Sequence, residues 1–310
     1  MRSAVILLRE IRNEIKRANT VAAIASEDTD IFYSYWASNE ALLLAILRKK
    51  GLRTPAITRL HAYDIYEETQ RNGRIPFRWF IYKNLDRLYP ISMDGKNYLT
   101  RKYSEQAGKV HVSYLGTKST GVLPPPMQNG VLRVISCGRV TSHKRHIDNF
   151  RLLNKIPNAE WWHVGDGEEL EDLKRIVEKD AQIKVQLLGN LTQPELYNLY
   201  ATTPFTCFLS LSSTEGIPVS MMEAISMGIP VVSTDVGGCR EIVTDATGIL
   251  LKENYSASDF AASMEKIQSE TYQSVTARER IRNFWNTAFN ADTNYSKWIE
   301  ELINIKQRIK

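Results

Sequence analysis

No apolar run in this chain of 310 residues approaches the roughly 18 residues needed to cross a bilayer. The early apolar stretch at residues 4–8 is too short for a signal-peptide core and is followed by Arg9 and Glu10, so export is not expected. Cysteine is scarce. Cys137, Cys207 and Cys239 are three in number and lack metal-type spacing, which argues against a disulfide scaffold and against Cys-ligated zinc. All three lie in or beside apolar segments, so buried free thiols in a reducing compartment are expected. Internal repeats and low-complexity tracts are also missing, which excludes a solenoid or a repetitive linker.

What remains is a soluble globular composition, 43% hydrophobic and 24% charged, long enough for two domains. The net charge of +5 is unevenly spread. Residues 1–127 carry 20 Lys and Arg against 12 Asp and Glu, whereas residues 128–310 carry 20 against 23. A basic half suggests an anionic partner. Nucleic acid, an anionic membrane surface and a diphosphate-linked acceptor all qualify, beside a plain solvated surface. Arg2, Arg9, Arg12, Lys16 and Arg17 lie on an amphipathic segment, and Arg71, Arg74, Arg78 and Lys83 surround Trp79 and Phe80. That pattern suits an acidic leaflet.

A turn-rich linker at 121–130, with three consecutive prolines, separates the halves. Beyond it, short apolar runs at 132–137, 159–164, 183–188, 205–211 and 229–233 read as strands. Helical stretches near 145–155, 168–179, 193–201 and 219–227 alternate with them. Glycines close most of the strands. This order predicts an α/β fold with a doubly wound parallel sheet, whose ligands bind beyond the carboxyl ends of its strands. The first half reads similarly, with strands at 31–36, 55–60 and 88–93, a helix at 39–50 and a basic helix within 1–25. The tail from 278 is helical and aromatic.

Two carboxylates, Glu215 and Glu223, stand eight positions apart across a loop-to-helix junction, with Gly216, Ile217 and Pro218 forming the turn. Glu223 falls a little over one turn into the helix, so both acids can face one ligand near its N-terminus, where free N–H groups favour phosphate or hydroxyls. After the strand at 132–137, Arg139 and Lys144 place two cations at one crevice. The planar fork of Arg and the point charge of Lys complement each other on a diphosphate. His143 and His146 flank Lys144, but no acidic or Cys partner lies nearby, so they read as solvated or phosphate-proximal. Asp28-Thr-Asp30 imitates a metal-binding pair but precedes its strand, so a turn is expected and no metal.

The segment from Glu215-Gly-Ile-Pro218 through Glu223-Ala to Gly228-Ile-Pro-Val-Val232 resembles the Glu-x7-Glu signature of the retaining GT-B glycosyltransferases of family 4. Gly138-Arg-Val-Thr-Ser-His-Lys144 is similar to the Gly-Arg-Leu-x-x-x-Lys-Gly motif of that family, with Arg145 where Gly is usual. The turns Gly165-Asp-Gly167 and Gly189-Asn-Leu191 match further landmarks. The stretch 59–68 resembles exopolysaccharide and colanic-acid type members. The resemblance implies two Rossmann-like domains facing a cleft. An acceptor-side domain would occupy 1–127, a donor-binding domain 128–285, and a helix at 286–310 would pack back toward the first. It implies that Glu215 contacts the donor sugar, Glu223 holds the ribose hydroxyls, and the loop Gly189, Asn190 and Leu191 frames the base. Arg139 and Lys144 would neutralise the leaving diphosphate, and His61 would face the donor sugar from the first domain.

Family members usually begin with a strand, a Gly-rich loop and further βα units before the part that matches residues 31–36. The first domain is therefore expected to lack its opening strands. The expected activity is metal-independent, retaining transfer of a hexose-type sugar from a nucleotide-diphosphate sugar to a hydroxyl of a growing glycan or lipid-linked sugar. No cofactor is expected, nor any nucleic-acid partner. The expected location is cytoplasmic, or peripheral at the inner face of the membrane. A nucleotide-sugar-binding partner without turnover, and a GT-B-like epimerase, are the alternatives.

Overall fold

The computed structural model describes residues 2–24, 31–70, 72–125 and 130–309. Asp28, Asp30 and Arg71 lie outside the described residues. The chain forms two compact units, residues 1–114 with 295–310, and residues 115–294.

The first unit holds three parallel strands, β1 (Phe32–Ser34), β2 (Ala56–Leu60) and β3 (Arg87–Pro90), in the order β1-β2-β3. The crossover helix Asn39–Lys49 buries every residue from Ala41 to Leu47. A helix that is apolar nearly all round must be covered on most sides, and the helix Arg2–Ile24 contributes Ala18 and Val21 to the same core. All five positions of β2 are buried. Arg59 is among them, its guanidinium 4.8 Å from the Trp298 ring centre and its NH2 donating to Ser113 Oγ at 2.7 Å. Trp298 belongs to the last helix, Ala291–Ile309, whose Ile305 packs with Ile57 and Tyr89. Tyr89 also donates to Glu301 Oε1 at 2.9 Å.

The second unit is a six-stranded parallel sheet of β4 (Leu132–Cys137), β5 (Ala159–Val164), β6 (Lys184–Leu187), β7 (Cys207–Ser210), β8 (Val231–Thr234) and β9 (Gly248–Leu251). Its order is β6-β5-β4-β7-β8-β9. Winding runs outward from β4 in one direction and from β7 in the other, so the direction reverses between these two strands. Residues of β4, β5, β7, β8 and β9 share one core with the helices His146–Leu153, Leu170–Asp180 and Ala257–Lys266. The doubly wound α/β reading therefore holds, and each unit has its own parallel sheet. β9 escaped the sequence because its run, Gly248-Ile-Leu-Leu251, is only four residues long and opens on a glycine. The strand expected at 88–93 ends at Pro90, because Ser92 Oγ accepts from Gly95 N at 3.0 Å and starts the helix Met93–Lys102.

The division between units does not follow the expected boundary at 127. Residues 115–125 belong with the second unit because Thr117 N donates to Phe289 O at 2.9 Å and Ala291 N to Thr117 O at 3.0 Å. Trp285 Nε1 donates to Thr117 Oγ1 at 2.8 Å, and Ser119 Oγ to Ser226 O at 2.9 Å. At the other end, residues 286–294 stay with the second unit and 295–310 with the first, so the boundary expected at 285 moves as well. No helix among the described residues is long and apolar enough to cross a membrane.

Candidate active site

The reversal between β4 and β7 opens a crevice beyond their carboxyl ends, the usual ligand position in such sheets. The loops that follow these strands meet there. Ser213 N donates to His143 O at 2.8 Å, and Lys144 Nζ lies 2.6 Å from Glu215 Oε1. Glu215 is buried and Lys144 about half-buried. Glu223 follows on the helix Val219–Ser226, for which Pro218 is the N-cap. Its Oε1 accepts from Gln193 Nε2 at 3.1 Å. Burial raises the Glu223 carboxyl above the ordinary carboxylate range, and the Gln193 hydrogen bond only partly offsets this. Cys137, the last residue of β4, is pushed up to about 12 by burial and by Glu223, against the opposing pull of Lys144. One thiol thus feels both groups, which places Glu223 and Lys144 around the same strand end.

Gly237 holds the Glu215 loop in place. It adopts φ of +50°, and a Cβ there would lie 1.8 Å from Glu215 O. Its neighbour Gly238 donates its N–H to Gly216 O at 2.9 Å. The loop after β8 therefore supports the turn of Gly216, Ile217 and Pro218, all buried. On the other side, Gly138 N donates to Val164 O at 2.9 Å, and Gly165 N to Gly189 O at 2.8 Å. The ends of β4, β5 and β6 are tied in series, and Gly189, exposed Asn190 and half-buried Leu191 stand at the far end of that series. The next helix, Gln193–Thr202, starts on Thr192, whose N–H donates to Glu195 Oε2 at 2.7 Å. That cap fixes Gln193 against Glu223.

Arg139 projects into solvent with 76% of its side chain exposed, and its only ion pair among the described residues is Glu168 at 3.4 Å. Such an exposed pair is worth little, and the guanidinium is free to turn toward an anion. Arg145 adopts φ of 53° and ψ of 36°, the left-handed conformation that a glycine takes without cost. His146 is not solvated. It is buried, with its ring centre 4.2 Å from that of His163, which accepts from or donates to Ser136 Oγ at 2.8 Å. Burial, reinforced by His163 and Lys144, lowers His146 to about 2, and burial lowers His163 to about 4. Both rings are neutral supports beneath the β4 turn. The sequence assigned no role to Gln193 or His163, and Gly237 stood out only as one of two adjacent glycines after a strand.

In the first unit, His61 lies at the carboxyl end of β2, with its ring 4.7 Å from Tyr35 and 4.0 Å from Trp36. Its Nδ1 is 3.7 Å from Asp64 Oδ2, and neither ring nitrogen has a hydrogen-bond partner among the described residues. Arg78 does not join the basic surface expected around Trp79. It is buried, donates to the Ala37 carbonyl and lies 3.4 Å from Asp64 Oδ1. Trp79 is 54% exposed, with Lys83 Nζ 4.5 Å from its ring centre. Cys207 and Cys239 are buried free thiols and Cys137 is half-buried. Among the described residues no group of three or more His, Cys, Asp or Glu side chains is placed to hold a metal ion.

A family model described as glycosyl transferases group 1 matches residues 125–284, which contain all of these second-unit residues. The chain is 32% identical over 135 residues to the O-antigen biosynthesis glycosyltransferase WbnH of Escherichia coli, an alignment covering 44% of this chain and 37% of WbnH. It is 26% identical over 291 residues to the amylovoran biosynthesis glycosyltransferase AmsK of Erwinia amylovora, covering 88% of this chain and 70% of AmsK. The crystal structure of Anabaena HepE in complex with UDP-glucose superposes with a TM-score of 0.74 at 18% identity, covering 94% of this chain and 82% of HepE. That likeness is one of fold, and the fold is GT-B.

Proposed function

This chain belongs to the group 1 glycosyl transferases, and from that premise we propose that it transfers a sugar from a nucleotide-diphosphate donor to a hydroxyl of a growing glycan of the exopolysaccharide or O-antigen kind. The observation that carries this reading is the convergence of Lys144, Glu215 and Glu223 at the β4–β7 reversal. Arg139 and Lys144 take the diphosphate. Glu215 grips the sugar hydroxyls and Glu223 the ribose hydroxyls, since a carboxylate accepts two hydrogen bonds from a vicinal diol. The loop of Gly189, Asn190 and Leu191 frames the base.

Transfer proceeds with retention. The acceptor hydroxyl attacks the anomeric carbon on the face that the diphosphate leaves. Its proton passes to a leaving phosphate oxygen, and Arg139 and Lys144 absorb the charge that develops there. Each preorganised donor of this kind contributes roughly 10²–10³ in rate. No side chain is needed as a nucleophile, and no metal takes part. Support for the donor class also comes from the UDP-glucose bound by HepE.

The first unit would meet an anionic leaflet through Trp79, Lys83 and Arg74, which would keep the protein at the cytoplasmic face of a membrane. A basic side chain near an acidic surface contributes about 1 kcal/mol.

Calorimetry with UDP and GDP tests the site. Arg139→Ala and Lys144→Ala should each remove about 1.5–3 kcal/mol of binding. Unchanged affinity in both variants would overturn the assignment. Product analysis with a UDP-sugar and a lipid-linked acceptor then separates turnover from binding alone. A protein that binds donor but never transfers would be the partner without turnover.

A further inference from the structure

We propose that the second unit carries a separate saccharide-binding cavity beside the helix Val275–Ala288. The cavity is about 360 Å³, within the size of small-ligand sites. Lys118, Arg282, Asn283, Asn286, Asn290 and Asp292 line it, and all belong to the one unit. Arg282 and Asn286 are four residues apart and share a helix face, flanked by Asn283. Asn290 stands just before the next helix, where its Oδ1 accepts from Asp292 N at 2.9 Å. Trp285 lies beneath, buried and fixed by its bond to Thr117.

The hydrogen-bonding capacity left over in this cavity selects its ligand. Asn290 Nδ2 donates to Asn286 Oδ1 at 2.7 Å, which fixes the Asn286 amide and leaves its own NH2 group free. Arg282 NH1 donates to Gly121 O at 2.7 Å, leaving its other donors. The side chains of Lys118, Asn283 and Asp292 have no hydrogen-bond or ion-pair partner among the described residues. The free set therefore mixes donors (Lys118, Arg282, Asn286, Asn283) with acceptors (Asp292, Asn283). An anion would use the donors and be repelled by Asp292. A nucleobase would need an exposed ring to stack on, and Trp285 is only 5% exposed. A hydroxyl donates and accepts at once, so a polyhydroxylated ring satisfies both halves of the set.

The cavity lies close to the donor crevice without being part of it. Ser119, which also lines it, bonds to the last residue of the helix that bears Glu223. The Lys118 carbonyl accepts from Tyr197 OH at 2.8 Å, and Tyr197 neighbours Glu223. Saccharide binding here goes beyond the transfer reading and does not require it, because it is measured without donor or turnover.

The test follows the backbone amide signals of residues 282–292 by NMR on the full chain. Lactose, maltose and chitobiose are titrated separately up to about 50 mM, with inorganic phosphate as a further arm. At least one disaccharide should shift these signals saturably, and phosphate should not. The double variant Asn283→Ala/Asn286→Ala, both at exposed positions, should weaken that binding about tenfold or more, and Asp292→Asn should weaken it as well. UDP affinity should stay the same in every variant. A response to phosphate alone, no response to any disaccharide, or wild-type saccharide affinity in the variants would overturn the proposal. Failure of UDP to bind the wild-type chain would count against the donor reading and leave this one standing.

Discussion

Lys144 Nζ sits 2.6 Å from Glu215 Oε1, but the two partners are unequally covered, with side-chain exposures of 24% and 9%. The asymmetry matters when one is removed. Lys144→Ala strands a buried carboxylate without its cation, so unfolding stability should fall by roughly 1–3 kcal/mol. Glu215→Ala leaves a lysine that can reach water and should cost less. Arg139→Ala removes only an exposed contact with Glu168 and should leave stability within about 0.5 kcal/mol of the parent. Urea titration of the three variants checks the ranking, and a large loss in Arg139→Ala would contradict it.

Glu223 gives a pH signature with a definite sign. Its carboxyl is raised above its ordinary value of 4.5 by burial. The folded protein then holds a proton that the unfolded chain releases, so this group's contribution to stability is greatest at acid pH. It declines as pH rises from 4.5 through the raised folded value. Glu223→Gln should flatten that decline and stabilise the unliganded protein near neutrality by about 0.5–2 kcal/mol, while weakening nucleotide-sugar binding. Thermal unfolding at several pH values with and without UDP-glucose is the measurement. A variant less stable than the parent at pH 7 would refute the sign.

Much of this site could be read from the chain because its parts fall at the ends of regular elements. The runs at 132–137 and 159–164 matched β4 and β5 to the residue. Glu215 and Glu223 were legible from spacing and from the turn between them. The contacts that fix them were not. Gln193 belongs to another helix and reaches Glu223 across 30 positions, and the stacking of His146 on His163 depends on how β4 and β5 lie side by side. Residues 115–120 read as the end of the first domain and 121–125 as linker, while long-range bonds to 226, 289 and 291 commit this stretch to the second unit. Nothing local in a sequence reports such partners.

Gly237 and Gly189 both have positive φ, at +50° and +65°, yet they should respond differently to alanine. At Gly189 nothing lies within 4 Å of a new Cβ, so the cost is the backbone preference alone, about 1 kcal/mol. At Gly237 the new Cβ would meet Glu215 O, and the loop that carries Glu215 must move. Gly237→Ala should therefore lose more stability and should also lose UDP-sugar affinity, which Gly189→Ala largely keeps. Equal affinities would mean that the loop after β8 does not hold Glu215 in position.

The membrane contact depends on a smaller set of side chains than composition suggests, because Arg78 is buried against Asp64. Trp79 and Lys83 remain at the surface. Sedimentation with vesicles rich in acidic lipid should be salt-sensitive and should drop in Trp79→Ala/Lys83→Ala, by about 1 kcal/mol for the lysine. Neutral vesicles should bind neither protein. Equal sedimentation with both vesicle types would leave this face as ordinary basic surface.

Arg145 offers the opposite case from the glycines, a side chain where the backbone conformation favours having none. Its φ of 53° strains an L-residue by about 1–2 kcal/mol relative to glycine. Glycine also frees the unfolded chain, which takes back about 0.4–1 kcal/mol. Arg145→Gly should therefore raise stability slightly, by up to about 1 kcal/mol. The residue lines a cavity of about 380 Å³ with Asp148, Glu253 and Tyr255, and neither Lys144 nor Glu215 lines that cavity. UDP affinity should accordingly be unchanged. If affinity falls instead while stability rises, Arg145 acts on the donor, and the strain is retained for binding.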